Sequence, residues 1–350
     1  MIKVQNIYYM LSYAFQVLNQ DSYAQVAAEE FHNSNDLLAA ILGKGIFNQV
    51  RRGLGREYIS RSEERGVPIG RIDVTGSIKA QTLVKKKLVC EFDEFTKNTY
   101  MNQILKTTTH LLLRSNDVDS SRKYLLKKVL IYFNDVDELD PYRIRWSGLT
   151  YHRNNSTYRM LINICFLVIK TMIMSEKSGE LESQHYIDDQ AMHRLFEKFV
   201  REYYRKHYSK LSVTASNIEW DTDDGIVELL PAMRSDIMVE YNDKILIIDT
   251  KYYSNTMQVH SMYNTRRHHS SNLYQIYTYV KNKDSLGSGN VSGVLLYAKT
   301  DEDITPDNDY MLGGNRISVK TIDLNTDFTN IETQLHSLIK SFFPEVIDNN

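Results

Sequence analysis

Asp236, Asp249 and Lys251 stand out in one hairpin-like run, Arg234-Ser-Asp-Ile-Met-Val-Glu-Tyr-Asn-Asp-Lys-Ile-Leu-Ile-Ile-Asp-Thr-Lys251. Asn242-Asp243 separates two apolar runs and suits a two-residue turn. If Tyr241 faces Lys244, the same register sets Asp236 opposite Asp249 and Arg234 opposite Lys251. Side-chain alternation then sends all four to one face. Facing Cβ atoms lie roughly 4.5–5.5 Å apart, and like charges directly opposite destabilise a sheet. Two opposed carboxylates therefore call for a divalent cation. Oxygen ligands without His or Cys favour a hard ion such as Mg2+. Lys251 would orient an attacking water and support charge developing on a phosphate. The competing reading is a surface hairpin whose charged face meets solvent. Against it, Ile245-Leu-Ile-Ile248 predicts a strand buried on both faces, where Asp and Lys without a function are costly.

The elements that must position this run are legible around it. Asp189 precedes a helix with apolar residues at 192, 195, 196, 199, 200, 203 and 204, a 3.6-residue stripe. Strands are expected near 217–220, 229–240 and 244–250, then a polar loop and a helix around 271–281. Strands at Val291–Ala298 and Arg316–Ile322 and an amphipathic helix near 328–343 complete the half. Helix, antiparallel strands, helix, strand predicts α/β layers around a central mixed sheet. Residues 1–50 read as helices. Between Tyr58 and Phe95 short strands or β-loops are expected, with a helix from about Asn98 to Leu113. Ser175–Gln184 is polar and carries a glycine, so the expected division is 1–180 and 181–350. The fold class is α/β (α+β overall), a mixed N-terminal domain followed by a sheet flanked by helices.

Composition narrows the function classes. Lys plus Arg is 42 against 44 for Asp plus Glu, a net charge of −2, which excludes an overall basic coat but not a local basic groove. The two cysteines, Cys90 and Cys165, cannot build a zinc site or a disulfide framework. Polar residues Asn6, Ser12 and Gln16 break the N-terminal apolar run, which argues against a signal peptide. Met160–Met174 is too short to span a bilayer and reads as a buried core helix. No membrane partner and a cytoplasmic location are therefore expected. Gly43-Lys-Gly45 and Gly53-Leu-Gly55 continue into no phosphate-binding loop, so the chain is not an NTPase. The 24 tyrosines suit surfaces that are apolar on one side and wet on the other, or half-buried packing positions.

Asp236 followed by Asp249-Thr-Lys251 resembles the PD-(D/E)XK nuclease signature, with Ser235 where proline is usual and Asp249 where Glu is commoner. Leu229–Ile237, Lys244–Tyr253 and Asn272–Tyr277 resemble the core blocks of the McrC family, the endonuclease subunits of the McrBC 5-methylcytosine-specific restriction system. Val4–Ala14, Gly70-Arg-Ile-Asp73 and Phe92-Asp-Glu-Phe95 followed by Asn102 extend the likeness into the first half. The resemblance implies that Asp236, Asp249 and Lys251 are catalytic and that Mg2+ is bound by Asp236 and Asp249. It also implies a place for Glu197 beside the metal and for Gln275 at the active site. The alternative roles are a boundary glutamate and a packing amide. Arg266-Arg-His-His269 is either a phosphate contact or a solvated loop. Implied partners are DNA and a hexameric AAA+ GTPase of the McrB type, docked and stimulated by residues 1–180, with self-association of nuclease domains allowed. Two rival readings stay open: a non-catalytic activator of the motor, and a stand-alone nuclease for another nucleic acid.

Overall fold

The structure is a computed structural model that describes residues 2–151, 156–178, 189–252, 257–260, 265–299 and 305–347. In chain order the helices are α1 (Val4–Ala14), α2 (Ala24–Ala28), α3 (Ser34–Arg52), α4 (Val74–Lys79), α5 (Tyr100–Arg114), α6 (Ser120–Leu130), α7 (Ser156–Ser178), α8 (Asp189–His207), α9 (Ser270–Lys283), α10 (Phe328–Phe342) and α11 (Pro344–Ile347). The strands are β1 (Glu57–Arg65), β2 (Arg71–Ile72), β3 (Leu88–Thr96), β4 (Ser212–Thr214), β5 (Asn217–Ile218), β6 (Met233–Arg234), β7 (Ile237–Tyr241), β8 (Lys244–Lys251), β9 (Met257–His260), β10 (Thr265–His268), β11 (Val291–Ala298), β12 (Asn308–Leu312) and β13 (Asn315–Ile322).

These elements form two compact units, Met1–Ser34 with Met174–Asn350, and Asn35–Ile173. The expected division at 180/181 is therefore corrected at its N-terminal end. Helix α1 belongs with the second half because its apolar face packs on α8. Ile7, Met10 and Leu11 are fully buried. Tyr13 meets Phe199 and Tyr203, and Tyr9 stacks on Phe328 with centroids 4.5 Å apart. Asn6 Nδ2 donates to the carbonyls of Leu324 and Thr326, both at 2.8 Å. An amphipathic stripe announces that a helix needs a partner but carries no address for it. Helix α7 runs on to Ser178, into the polar stretch expected to be the boundary. Residues 179–184 of that stretch lie outside the described residues.

In the Asn35–Ile173 unit, β1 and β3 pair antiparallel over nine residues, from Glu57↔Thr96 to Arg65↔Leu88, and β2 flanks β3. Gly70 has φ +64°, and a Cβ there would collide with the Glu91 carbonyl, which explains glycine before Arg71-Ile-Asp73. Asp73 caps α4 by accepting from Gly76 N–H at 2.9 Å. Helix α7 buries Met160, Leu161, Ile164, Cys165 and Val168, as expected for a core helix.

The other unit is built on a six-stranded sheet of order β12-β13-β11-β8-β7-β4. β8, β11 and β13 run parallel, while β7 and β12 are antiparallel to their neighbours. The sheet is mixed, as expected. Helix α9 covers β8, β11 and β13 through Ile276, Tyr279 and Val280 over Ile247, Leu295, Ile317 and Val319. Gly293 permits this approach, since a Cβ there would lie 2.7 Å from Ile276 and 2.8 Å from Val280. Helix α8 contacts β8 and β4. The register is the expected one, from Tyr241↔Lys244 to Ile237↔Ile248. Asn242 sits in the turn with φ +53°, a region asparagine tolerates.

Two strand expectations change. The segment 229–240 is not one strand, because the chain breaks at Ser235, whose N–H donates to the Ser216 carbonyl. Arg234 consequently pairs with Asn217 in a separate small ladder rather than with Lys251. The strands β4, β9, β10 and β12 are additions to the expected set, β9 and β10 pairing antiparallel in place of the expected polar loop; β12 is exposed throughout and lacks the apolar alternation that marks a half-buried strand.

Candidate active site

Asp249 and Lys251 close the central strand β8, which is buried from Leu246 onward. Asp249 is 1% exposed and Lys251 8%. Residues two apart on a strand share a face, and Lys251 Nζ lies 2.6 Å from Asp249 Oδ2. The contact is an ion pair without hydrogen-bond alignment: no aligned donor among the described residues reaches Oδ2. Burial pushes the Asp249 carboxyl up to about 6; the Lys251 ammonium opposes that shift and the Asp236 charge reinforces it. A buried carboxyl that resists ionisation even beside a lysine is poised to be completed by further positive charge.

Asp236 lies one position beyond the last β7–β8 pair, opposite Asp249 in the continued register. Its Oδ2 accepts from Thr250 N–H and from Thr250 Oγ1, both at 2.8 Å. Helix α8 supplies the remaining wall. Glu197 accepts from Arg201 at 2.8 Å, and Arg201 also reaches the Asp236 carbonyl at 3.3 Å. Burial raises the Glu197 carboxyl, the Asp236 charge raises it further, and Arg201 counters both. From α9, Gln275 Oε1 accepts from Lys251 Nζ at 3.3 Å while its Nε2 donates to Tyr279 OH at 3.1 Å.

All five residues named from the sequence thus converge: Asp236, Asp249, Lys251, Glu197 and Gln275. Arg234 does not join them. It is exposed and faces another ladder, which corrects the four-residue face expected from the hairpin alone. The side chains of Arg266 and Arg267 lie outside the described residues; His268 touches Tyr310 OH at 3.1 Å, in contact with β12 rather than with this cluster.

Sequence reasoning missed His193, Arg201, Thr250 and Tyr279. His193 Nε2 lies 2.6 Å from the Thr250 carbonyl. His193, Glu197 and Arg201 fall at successive intervals of four, a polar line beside the apolar stripe of α8, and that spacing was a readable signal. Tyr279, four residues after Gln275, carried the same signal on α9. Nothing local marked Thr250.

Among the described residues no group of three or more His, Cys, Asp or Glu is arranged to hold a metal. Two carboxylates fit a different demand. Mg2+ keeps several waters and is held through one or two carboxylates, so a buried carboxylate oxygen lacking an aligned donor suits it. The donor set of Asp236 and Asp249, with Glu197 adjoining, fits a hard cation and not zinc.

Fold and site together define a mixed α/β protein with a buried acid–lysine cluster at the end of its central strand pair. Residues 3–298 match the family described as McrBC 5-methylcytosine restriction system component. The chain belongs to that family. It is 28% identical over 345 residues to the "Type IV methyl-directed restriction enzyme EcoKMcrBC" of Escherichia coli (strain K12), covering 97% of this chain and 98% of that one. Two solved structures from Thermococcus gammatolerans are also similar. One is a half-complex of a tetradecameric assembly of McrB AAA+ hexamers with bound McrC, at 15% identity and TM-score 0.43, covering 92% of this chain and 72% of that one. The other is a McrBC complex, at 16% identity and TM-score 0.42, covering 58% of each. Among the described residues no helix is long and apolar enough to cross a membrane.

Proposed function

We propose that this chain is the PD-(D/E)XK nuclease subunit of a GTP-dependent, modification-directed restriction complex that hydrolyses phosphodiester bonds in 5-methylcytosine-containing DNA. One observation carries the reading: Asp249 and Lys251, buried at the end of β8, come together with the half-buried Asp236 just before β7, in a chain whose family is that of a 5-methylcytosine restriction system. Mg2+ would be held by Asp236 and Asp249, with Glu197 beside them. When bound, it supplies Lewis-acid charge and a more acidic water. Lys251, anchored between Asp249 and Gln275, presents N–H to the anionic phosphate, and Tyr279 fixes the amide that orients it. Burial keeps water from competing for these contacts and strengthens each of them.

The partner we propose is an AAA+ GTPase ring of the McrB type, acting in the cytoplasm, with the Asn35–Ile173 unit as its docking and stimulating part. Self-association of nuclease units would allow both DNA strands to be cut. The test is Asp249→Ala in the assembled complex. Cleavage of methylated DNA should fall by at least about 10³-fold, the several kcal/mol that metal-assisted chemistry contributes, while complex formation and GTP hydrolysis persist. Undiminished cleavage would remove Asp249 from the chemistry. Equal loss of all three readouts would point to a folding defect.

A further inference from the structure

β7 begins only at Ile237, opposite Ile248, while β8 continues past that pair to Lys251. On an antiparallel edge the N–H and C=O of one residue point the same way. Those of Thr250 point into the lane that β7 has vacated, and buried backbone groups must find partners. Side chains take the place of the missing strand. The N–H donates to Asp236 Oδ2 at 2.8 Å, and the Thr250 hydroxyl donates to the same oxygen at 2.8 Å. The C=O lies 2.6 Å from His193 Nε2; a carbonyl only accepts, so that nitrogen carries the proton. Thr250 is fully buried, so water cannot substitute for any of these partners. The result is asymmetric: Asp236 Oδ2 is held by two donors, and Oδ1 is left for another partner. The residue between Asp249 and Lys251 thus ties together β8, the start of β7 and α8.

We propose that Thr250 is a positioning residue, with His193 as its strut. It locks the Asp236 carboxylate so that Oδ1 stays available to a divalent cation. The inference rests on the magnesium-nuclease reading above and names residues that reading does not require.

Thr250→Val keeps the side-chain shape and the amide but removes the Oγ1 donor, and Thr250→Ser restores the donor. Two readouts are taken on the full-length chain against Mg2+ concentration. One is cleavage of methylated DNA with the partner GTPase present; the other is the Mg2+-induced rise in thermal unfolding temperature without partner or DNA. Valine should raise the Mg2+ midpoint about tenfold in both, about 1.4 kcal/mol of cation binding, over and above the fall in the unfolding temperature in EDTA that the lost hydrogen bond brings. Serine should return both midpoints to wild type. His193→Phe should shift them in the same direction, and His193→Gln, which keeps an N–H donor, should shift them less. Unchanged midpoints in the valine variant, or failure of serine to recover, overturn the proposal. If the valine variant does not unfold cooperatively in EDTA, Thr250→Ala replaces it with the same expected outcomes. Wild-type protein with no Mg2+ midpoint at all overturns the nuclease reading and this inference with it. A wild-type midpoint beside a silent valine variant overturns this inference alone.

Discussion

Replacing Asp249 by Asn should change how stability depends on pH, and the size of the effect follows from the site. In the folded chain, burial pushes the Asp249 carboxyl from 3.8 up to about 6. Between those values the folded state holds more protons than the unfolded state, so unfolding free energy falls as pH rises. The neutral carboxyl's contribution is fully present below 3.8 and is lost as pH rises through 6. The gap between the two values corresponds to roughly 3 kcal/mol. At 1% exposure, solvent screening removes little of it. Asparagine does not titrate. In EDTA the stability of wild type minus that of Asp249→Asn should therefore drop by about 2.4 kcal/mol between pH 4 and pH 7, most of that gap. Loss of the Lys251 partner sets the offset of this difference, but Asp249 sets its slope. Glu197, also raised by burial, is present in both proteins and cancels. The chain has two tryptophans, Trp146 in the Asn35–Ile173 unit and Trp220 in the other. In a Trp146→Phe background, urea unfolding followed by fluorescence reports the unit that holds the site. A difference that stays flat across that pH range would refute the buried, proton-holding carboxyl.

The same site predicts a metal effect on stability. Mg2+ at about 100 times its dissociation constant should stabilise wild type by about 2.7 kcal/mol, and the Asp236→Asn, Asp249→Asn double variant should gain nothing. Thermal unfolding with Mg2+ and with EDTA checks this; equal gains in both proteins would mean that the ion binds elsewhere. Asn6→Ala should cost about 1–3 kcal/mol, because the Leu324 and Thr326 carbonyls lose their side-chain donor. Urea unfolding in the Trp146→Phe background measures it, and a loss below about 0.5 kcal/mol would mean that Asn6 does not help hold α1.

Whatever in this protein depends on neighbours along the chain was legible in the sequence. The turn at Asn242-Asp243 and the alternation on each side set the β7–β8 register, and with it the opposition of Asp236 and Asp249. The stripe of α8 and the apolar run of α7 marked both helices within a few residues. Family resemblance, rather than spacing, brought Glu197 and Gln275 into the site. Tertiary structure decided the rest. A helical stripe states that a face must be buried but not where, so only the fold could send α1 to α8 and divide the chain at 34 instead of leaving the first half whole. A strand pattern states which residues alternate but not where pairing stops. Only the break at Ser235 turned Arg234 toward Asn217 and left the Thr250 backbone without a strand partner on the β7 side. His193 and Asp236 became its partners because buried N–H and C=O groups must be satisfied by whatever the fold brings near, and that proximity is a property of packing, not of sequence distance.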